Sequence, residues 1–368
     1  MNILITGANG FIGKNLRVFL TERGYTDVVC FERNQNHADL ARMVQHTDFV
    51  FHLAGVNRPL HEDEFQQGNT HLTEVLVKLL VSTGRKIPLV LTSSIQAVRD
   101  NPYGKSKAAA ENVAFSYMQD TGSPAYVYRL PNVFGKWCKP NYNSAVATFC
   151  YNIINSLPIT INDAGAALSL VYIDDVCNDF ISLLGMEPTG GYRDISPVYQ
   201  TTVGDVANTL RKFKQSRSTL VTEEVGVGFL RALYSTYLSY FSPADFSYTV
   251  PGYTDPRGTF VEMLKTPSSG QFSFFTAHPG VTRGGHYHHT KNEKFLVIKG
   301  TAKYRFKHIL TEESYDITVS SDEYRIIETV PGWTHDVTNI GSDELIVMLW
   351  ANEIFDRNQP DTVASSLV

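Results

Sequence analysis

Short apolar runs alternate with helical spacing through the first half of the chain. The segments NILIT, DVVCF, FVFHL and PLVLTSS have turn or polar residues on both sides, which predicts strands. Between the last two, apolar residues recur at the i, i+3, i+4, i+7, i+8 spacing of one helix face: Leu72, Val75, Leu76, Leu79 and Leu80. This alternation predicts a doubly wound parallel α/β sheet.

The pattern changes after about residue 245. In AKYRFKHI, Ala302, Tyr304, Phe306 and His308 fall on one face and basic residues fall on the other. A period of two predicts a sheet with one solvated side, and repeated runs of this kind predict a small all-β barrel or sandwich. A chain of 368 residues exceeds the usual single core. We therefore predict two domains, residues 1–245 and 246–368, joined within Ser242–Gly258.

Composition narrows the possible partners and compartment. The formal net charge of −5 gives no reason to expect a nucleic-acid partner. The four cysteines, Cys30, Cys138, Cys150 and Cys177, lack metal-type or paired spacing, which suits reduced thiols. No apolar run approaches the roughly 20 residues that span a bilayer. We expect a cytoplasmic protein, mature from Met1, with no membrane insertion.

A glycine-rich turn follows the first predicted strand and opens the first predicted helix. It reads G-x-x-G-x-x-G and contains Gly7, Asn9, Gly10, Phe11, Ile12 and Gly13. Small residues at such a turn let backbone N–H groups approach a pyrophosphate, although a turn without ligand is the alternative. The second strand ends in Phe31-Glu32-Arg33. Glu32 suits a free ribose 2′-hydroxyl, whereas Arg33 suits a 2′-phosphate and favours NADPH, unless it is a solvated surface residue.

Tyr103 and Lys107 form a Y-x-x-x-K pair after the strand-like segment LTSSIQA. On a helix, i, i+4 spacing places both side chains on one face. A neighbouring ammonium would lower the pKa of the tyrosine, which could then exchange a proton with a carbonyl oxygen. A serine at the strand end would hold the same oxygen. A plain surface pair is the alternative.

The stretch HYHHTKNEK places three histidines and a glutamate close together. His286 and His288 alternate along a predicted strand and so face the same side, Glu293 begins the next predicted strand, and His335 is a fourth candidate. Three imidazoles and one carboxylate suit Zn2+, or Mn, Fe, Co or Ni with water in open positions. His289, offset by one, is expected to point away; a lone histidine would suit a core or surface position.

The first roughly 240 residues resemble the extended short-chain dehydrogenase/reductase family, through both motifs and through FHLAG, RLPNVFG and VYIDDV. The resemblance implies a Rossmann-like fold, and it implies that Leu53, Ala54 and Lys107 bind the cofactor. It makes Ser94 the catalytic serine beside Tyr103 and Lys107, with Ser93 as the alternative. Asn132 would contact the diphosphate of a nucleotide-sugar. Eight residues separate Ser94 from Tyr103, fewer than is usual in the family.

Residues from about 250 to 368 resemble the cupin family through Gly280-x5-His286-x-His288-x4-Glu293-x6-Gly300. The resemblance implies an all-β cupin barrel, a jelly roll. In the second motif, His335 and Asn339 keep their relative spacing, whereas Pro331 and Gly332 are adjacent, a departure. The segment DPRG is similar to the entry of cupins that epimerise nucleotide-linked 4-keto-sugars, which usually lack metal ligands. Tyr304 and His308 are candidates for the acid and base, or else core residues.

The whole chain resembles bifunctional enzymes of capsular polysaccharide biosynthesis that join these two parts. The resemblance implies a zinc-containing homodimer that epimerises C3 of UDP-2-acetamido-2,6-dideoxy-4-hexulose. NADPH-dependent reduction at C4 would then give UDP-N-acetyl-6-deoxy-L-talosamine, on the route to UDP-N-acetyl-L-fucosamine. One alternative is a single-activity 4-keto-sugar reductase, similar to dTDP-4-dehydrorhamnose reductase, with a structural, dimerising cupin. Another is a metal-dependent cupin oxygenase or sensor fused to a degenerate NADP-binding module.

Overall fold

The computed structural model describes residues 1–187, 189–255, 258–261, 264, 266, 270–353 and 358–367. Two compact units are present, Met1–Ser144 with Ala167–Thr201, and Ala145–Ala166 with Thr202–Val368. Packing units need not coincide with segments of separate chemistry, so the predicted division at residue 245 stays a prediction. Pro256 and Arg257 of the predicted D-P-R-G segment lie outside the described residues.

The helices and strands follow in chain order. The first part of the chain contains β1 Ile3–Thr6, α1 Phe11–Glu22, β2 Val28–Phe31, α2 His37–Gln45, β3 Phe49–His52, α3 Asp63–Phe65, α4 Leu72–Ser82, β4 Leu89–Ser94, α5 Pro102–Thr121, β5 Ala125–Leu130, β6 Asn132–Phe134, α6 Ala145–Ile154, β7 Ala167–Tyr172, α7 Ile173–Ser182, β8 Gly191–Arg193 and β9 Tyr199–Thr202. A π-helical turn, Gln66–His71, joins α3 to α4.

The remaining elements are mostly strands. They are α8 Val203–Thr219, α9 Gly228–Leu238, β10 Ser247–Thr249, β11 Gly252–Asp255, β12 Gly258–Val261, β13 Gln271–Ala277, β14 Thr282–Tyr287, β15 Glu293–Lys299, β16 Thr301–His308, β17 Ser314–Ser320, β18 Arg325–Glu328, β19 Trp333–Asn339, β20 Leu345–Ala351 and β21 Val363–Ala364. Among the described residues, no helix combines the length and apolar character needed to cross a membrane.

The first unit is built on a parallel sheet, as the alternating pattern predicts. The described strands take the order β2-β1-β3-β4-β5-β8, and all neighbours are parallel. The chain runs outwards from β1 in both directions, so the carboxyl ends of β1 and β3 flank a topological switch point, where α/β sheets bind ligands. This arrangement confirms the Rossmann-like fold.

One apolar core packs α4 and α5 against this sheet. Leu4, Val50, Leu89 and Val127, from four neighbouring strands, are fully buried. Leu76 and Leu80 of the predicted helix face are buried with them, and the other members of that face pack against the same core. The helical period therefore gave the correct buried face of α4.

The described strands of the second unit form two five-stranded antiparallel sheets, with orders β10-β18-β15-β20-β13 and β17-β16-β19-β14-β21, and a β11-β12 pair. Their inner faces meet, as the 5.6 Å between the ring centroids of Phe295 on β15 and Tyr304 on β16 shows. Ala302, Tyr304 and Phe306 are buried in alternation along β16, which confirms the period of two. The all-β part of the predicted fold class is therefore present.

A buried ionic cluster ties α8 to the strands of the second unit. Glu328 on β18 accepts a hydrogen bond from Lys294, and a second one from Arg217 of α8 at 2.6 Å. The Lys294 ammonium also lies 3.0 Å from the Tyr248 hydroxyl. Removal of a buried carboxylate between two cations strongly destabilises the fold, because the cations remain buried without a partner.

Candidate functional sites

The glycine-rich turn is shaped by close backbone contacts. Gly7 has φ +71°, and a Cβ there would lie 2.8 Å from Ala54 Cα. A Cβ on Gly13 would lie 2.4 Å from the Gly7 oxygen. Glycine is therefore needed for the turn to pass against the residues that follow β3. The structure brings the predicted Gly7–Gly13 motif, Leu53 and Ala54 together at the switch point.

The N-terminus of α1 is suited to an anion. Gly10 precedes the helix, and no side chain in the described part of the chain caps its first turn. The N–H groups of Phe11 and Ile12 begin the helix, where aligned peptide dipoles favour negative charge. Together with the glycine contacts, these donors fit the diphosphate of a dinucleotide.

The residues at the ribose position differ in their contacts. Glu32 accepts a hydrogen bond from the Asn9 backbone N–H at 2.8 Å, so its carboxylate is held against the glycine-rich turn. Arg33 is exposed. The geometry is compatible with both predicted cofactors, one with a ribose 2′-hydroxyl beside Glu32 and one with a 2′-phosphate beside Arg33.

Tyr103 and the serine at the end of β4 are in contact. A hydrogen bond joins the side chains of Tyr103 and Ser94, and Tyr103 packs on Phe65 with ring centroids 5.5 Å apart. The helix that carries Tyr103 begins at Pro102, and Asn101 caps it through the Gly104 N–H at 2.8 Å. The predicted Ser94–Tyr103 pair therefore lies where it could hold one substrate oxygen.

The adjacent Ser93 has a different partner. Its hydroxyl donates to the buried carboxylate of Glu111, which also accepts from Arg129 at 2.6 Å and from Tyr192 at 2.9 Å. These bonds join α5 to β4, β5 and β8. Ser93 is thus part of a structural network rather than a neighbour of the tyrosine hydroxyl.

Lys107 is buried one turn after Tyr103. Its Nζ donates to the Thr92 carbonyl at 3.1 Å and lies 6.0 Å from the centre of the Tyr103 ring. Burial lowers the pKa of Lys107 to about 8, although Glu111 raises it. A Cβ on Gly55 would lie 3.1 Å from Nζ, so the glycine keeps one side of the ammonium open.

The pKa of Tyr103 shifts in the direction opposite to the predicted lowering by Lys107. Burial raises the pKa of the Tyr103 phenol, and the hydrogen bond with Ser94 opposes that rise. The sequence places Lys107 on the correct helix face, but it does not reveal how far the phenol is removed from water. Desolvation disfavours the phenolate, and at Tyr103 it outweighs the hydrogen bond with Ser94.

Asn132 lies at the surface. The residue begins β6, is exposed, and donates from Nδ2 to the Ser169 carbonyl at 3.3 Å. Asp174 forms a buried ion pair with Lys136 at 2.6 Å, which agrees with a structural role for this acidic residue.

The four predicted metal ligands converge in the second unit. His286, His288, Glu293 and His335 offer ligand atoms that all lie within 4.8 Å of one another. His286 and His335 are paired residues of β14 and β19, while Glu293 begins β15 in the other sheet. Both sheets therefore contribute to one buried cluster.

The electrostatics of this cluster suit a cation. Two imidazole nitrogens, Nε2 of His288 and Nε2 of His335, lie 3.3 and 3.4 Å from the same Glu293 oxygen. Burial, followed by the neighbouring His335 and His288, lowers the pKa of His286 to about 3, so its ring is neutral as a ligand must be. Nε2 of His335 is buried and makes no hydrogen bond within the described structure. The donor set fits Zn2+ or another divalent metal.

His308 and Tyr304, the two candidates for proton transfer in the epimerisation, have different surroundings. His308 accepts backbone N–H groups of Leu310 and Thr311 at 3.2 and 3.1 Å, so its Nδ1 shapes a turn. Tyr304 is 1% exposed, and its hydroxyl has no hydrogen bond within the described residues. The turn explains His308, whereas the Tyr304 hydroxyl has no partner among the described residues.

Comparison with known proteins identifies the family. Residues 3–193 match the NAD dependent epimerase/dehydratase family, and residues 253–363 match the polysaccharide biosynthesis C-terminal domain. The chain is 56% identical over 368 residues to UDP-2-acetamido-2,6-beta-L-arabino-hexul-4-ose reductase of Pseudomonas aeruginosa, covering 100% of this chain and 99% of that protein. The structure of capsular polysaccharide assembling protein CapF from Staphylococcus aureus matches with TM-score 0.68 and 43% identity over 100% of both chains.

The chain belongs to the CapF-type family. It is therefore a nicotinamide-dependent oxidoreductase of polysaccharide biosynthesis. UDP-glucuronic acid 4-epimerase from Bacillus cereus, solved with UDP-glucuronic acid and NAD, shares the fold at TM-score 0.53 and 20% identity, over 58% of this chain and 83% of that one.

Several residues at the CapF-type sites were missed from the sequence. Glu111 stands four residues after Lys107, so the helical spacing could have revealed it. Asn69 holds the loop after β3 by accepting from Val56 N–H at 2.9 Å, and it donates to Ser106 at 2.9 Å. Lys291 lies 2.8 Å from Glu293, and Asp361 contacts the loop before Glu293. Asn69 and Asp361 carry no local signal.

Proposed function

We propose that the protein converts a UDP-linked 4-keto sugar in two steps. The second unit, as a cupin, epimerises C3 of UDP-2-acetamido-2,6-dideoxy-4-hexulose, and the first unit then reduces C4 with NADPH. The product is UDP-N-acetyl-6-deoxy-L-talosamine, on the route to UDP-N-acetyl-L-fucosamine and capsular polysaccharide. The observation that carries the proposal is a Ser94–Tyr103 pair in the same chain as a three-histidine, one-glutamate cluster. The name of the Pseudomonas aeruginosa reductase supports the substrate class.

In the reduction, the side chains of the first unit handle the proton. Bound NADPH would supply the hydride for C4. The Tyr103 phenol donates its proton to the C4 oxygen, and the Ser94 hydroxyl holds that oxygen. Lys107, held by the Thr92 carbonyl, supplies positive charge beside them. The turn from Gly7 to Gly13 binds the cofactor diphosphate, and Leu53 and Ala54 line the cofactor.

In the epimerisation, the carbonyl at C4 acidifies the hydrogen at C3. Removal of that proton leaves negative charge on the C4 oxygen. A divalent cation, which we take to be Zn2+, held by His286, His288, Glu293 and His335 would supply positive charge that stabilises this oxygen. Return of a proton on the opposite face inverts C3.

Three further assignments belong to the same proposal. Asn132 binds the substrate diphosphate, which its exposed position at the start of β6 allows. Arg33 selects NADPH over NADH through the 2′-phosphate. The protein acts as a homodimer in the cytoplasm, a statement that the family resemblance supports.

Solvent deuterium tests the order and the site of both steps. The NADPH reaction is run on the 4-keto UDP-sugar in D2O, and the position of deuterium in the product is determined by NMR. We expect deuterium at C3, and we expect His286→Ala to lose it. His278→Ala, at an exposed histidine of the same unit, is the control and should keep it.

The second candidate function is a single-activity 4-keto-sugar reductase with a structural, dimerising cupin. The observation in its favour is that four protein side chains converge, enough to fill all four positions of a zinc ion, as in structural sites. A product of the wild-type protein without deuterium at C3 would refute the epimerase and leave this reductase. In that case His286→Ala should lose folding or dimerisation rather than product stereochemistry.

A further inference from the structure

One carboxylate holds the loop between two of the cluster residues, His288 and Glu293. Asp361 accepts the backbone N–H groups of His289, Thr290 and Lys291 at 2.8, 2.6 and 2.6 Å. It also accepts the Thr290 hydroxyl at 2.8 Å. Successive backbone N–H groups that converge in this way form an anion-binding concavity. The Asp361 side chain is only 12% exposed, so water competes little for these bonds.

The rest of this loop is equally well held. The N–H of Asn292 donates to the Asn352 side chain at 2.9 Å, and the N–H of Glu293 donates to the Thr329 hydroxyl at 2.8 Å. Every backbone N–H from His289 to Glu293 therefore has a side-chain acceptor. Arg231 lies 3.6 Å from Asp361 and 2.9 Å from Glu353, and it supplies the positive charge on the outer side.

The backbone of the same aspartate acts on a cluster histidine. The Asp361 carbonyl lies 2.5 Å from Nδ1 of His288. A carbonyl can only accept, so Nδ1 carries the proton and the lone pair of the neutral ring is on Nε2. That Nε2 faces Glu293 at 3.3 Å, inside the cluster. A lone pair opposite a carboxylate oxygen is repulsive unless a cation or a proton lies between them.

The segment after Asp361 reaches the strand that carries His286. Strand β21 pairs with β14 through His286 with Ala364 and through Tyr287 with Val363. The Ser365 N–H extends this pairing by donating to the Gly285 carbonyl at 3.0 Å. The segment from Asp361 to Ser365 therefore contacts the chain beside both histidines of the H-x-H pair.

We infer that Asp361 is the positioning residue of the metal centre. Its carboxylate fixes the loop from His289 to Lys291, and its carbonyl fixes the tautomer and ring orientation of His288. The loop conformation and the state of the His288 ring are therefore set before a divalent cation binds. This inference rests on the metal centre proposed above. Partners behind the ligands of a metal typically change its affinity by about 10–100-fold when they are replaced.

Asp361→Asn is the first test, because the amide keeps the size of the side chain but replaces one acceptor oxygen with a donor. The full chain is stripped with a chelator, and Zn2+ is titrated against a chromophoric competitor. We expect the Kd to rise by about 10–100-fold. The control is Asp343→Asn, an exposed carboxylate of the same unit, which should leave the Kd unchanged.

A second readout separates positioning from a general loss of stability. Co2+ in place of Zn2+ gives visible absorption bands that depend on the ligand geometry. We expect altered bands in Asp361→Asn and wild-type bands in Asp343→Asn. The far-ultraviolet circular dichroism of the metal-free Asp361→Asn protein should match that of the metal-free wild type.

The outcomes distinguish the proposed metal centre from the role of Asp361 in it. A wild-type protein that takes up no stoichiometric Zn2+ overturns the metal centre and Asp361 with it. A wild-type protein that binds Zn2+, together with an Asp361→Asn protein of equal Kd and equal Co2+ bands, overturns only the role of Asp361. If Asp361→Asn does not fold, Thr290→Val decides. It removes the hydroxyl that donates to Asp361 and accepts from Arg231, and it should raise the Kd by at least about fivefold, the effect of the bond to Asp361 alone. An unchanged Kd in folded Thr290→Val refutes the inference.

Discussion

The two serines at the end of β4 have different partners, and replacing each in turn tests which one takes part in catalysis. Ser94 is hydrogen-bonded to Tyr103, whereas Ser93 donates to the buried carboxylate of Glu111. Ser94→Ala removes a hydroxyl beside the Tyr103 phenol, the proposed proton donor. Ser93→Ala removes a bond that joins a strand to a helix. The first change should therefore alter catalysis and the second should alter stability.

The magnitudes follow from these contacts. Loss of one donor to an oxygen that gains charge in the transition state costs about 10²–10³ in kcat. We expect Ser94→Ala to fall in that range, with little change in the KM for NADPH. Loss of a hydrogen bond to a charged group costs about 1.5–3 kcal/mol of unfolding free energy. We expect Ser93→Ala to lose that amount, with a lowered Tm and a kcat close to the wild type.

The assay follows NADPH absorbance on the 4-keto sugar whose C3 is already epimerised, so that only the reduction is measured. Thermal unfolding of the same three proteins supplies the stability. The assignment of Ser94 is wrong if Ser93→Ala loses as much kcat as Ser94→Ala while both proteins remain folded. It is also wrong if Ser94→Ala keeps the wild-type kcat.

Three further outcomes are expected. Burial lowers the pKa of Lys107 to about 8, and Glu111→Gln removes a charge that raises it. Because the ammonium is lost as pH rises through this pKa, the alkaline limb of the pH profile of kcat should move to lower pH. An alkaline limb that does not move contradicts the prediction. Glu328→Gln should cost about 3–5 kcal/mol in urea unfolding because it leaves two buried cations. The surface change Asp316→Asn, its control, should cost at most about 1 kcal/mol. Chelation of a divalent metal should lower the Tm, and Zn2+ should restore it; an equal Tm contradicts the metal centre.

The parts that the sequence predicted well depend on local spacing. Gly7 and Gly10 precede α1 and Gly13 lies in its first turn, while Tyr103 and Lys107 lie one turn apart on α5. Spacing of this kind maps directly onto backbone geometry once the element type is known. The predicted alternation placed His286 and His288 on one side, and both reach the cluster, although β14 ends at Tyr287 and has an irregularity between Gly284 and His286.

The parts that were not predicted depend on distant residues. Asp361 meets Thr290 across 71 positions of sequence, and Arg217 meets Glu328 across 111. No local period connects such residues, because only the folded sheets bring them together. The predicted direction of the Tyr103 pKa shift was wrong for the same reason, because burial is a property of the folded unit.

The proposed order of the two steps follows from the chemistry of the ketone. The hydrogen at C3 is acidic only while C4 is a carbonyl, so an enzyme that reduced C4 first would remove the feature on which epimerisation depends. Epimerisation alone is reversible, and it would leave a mixture at C3. Reduction at Tyr103 removes the carbonyl and fixes the configuration. In the proposal Tyr103 and Ser94 serve the C4 oxygen, so inversion of C3 needs a further base and acid on the two faces of the ring. The cluster at His286, His288, Glu293 and His335 is where the proposal places that missing chemistry.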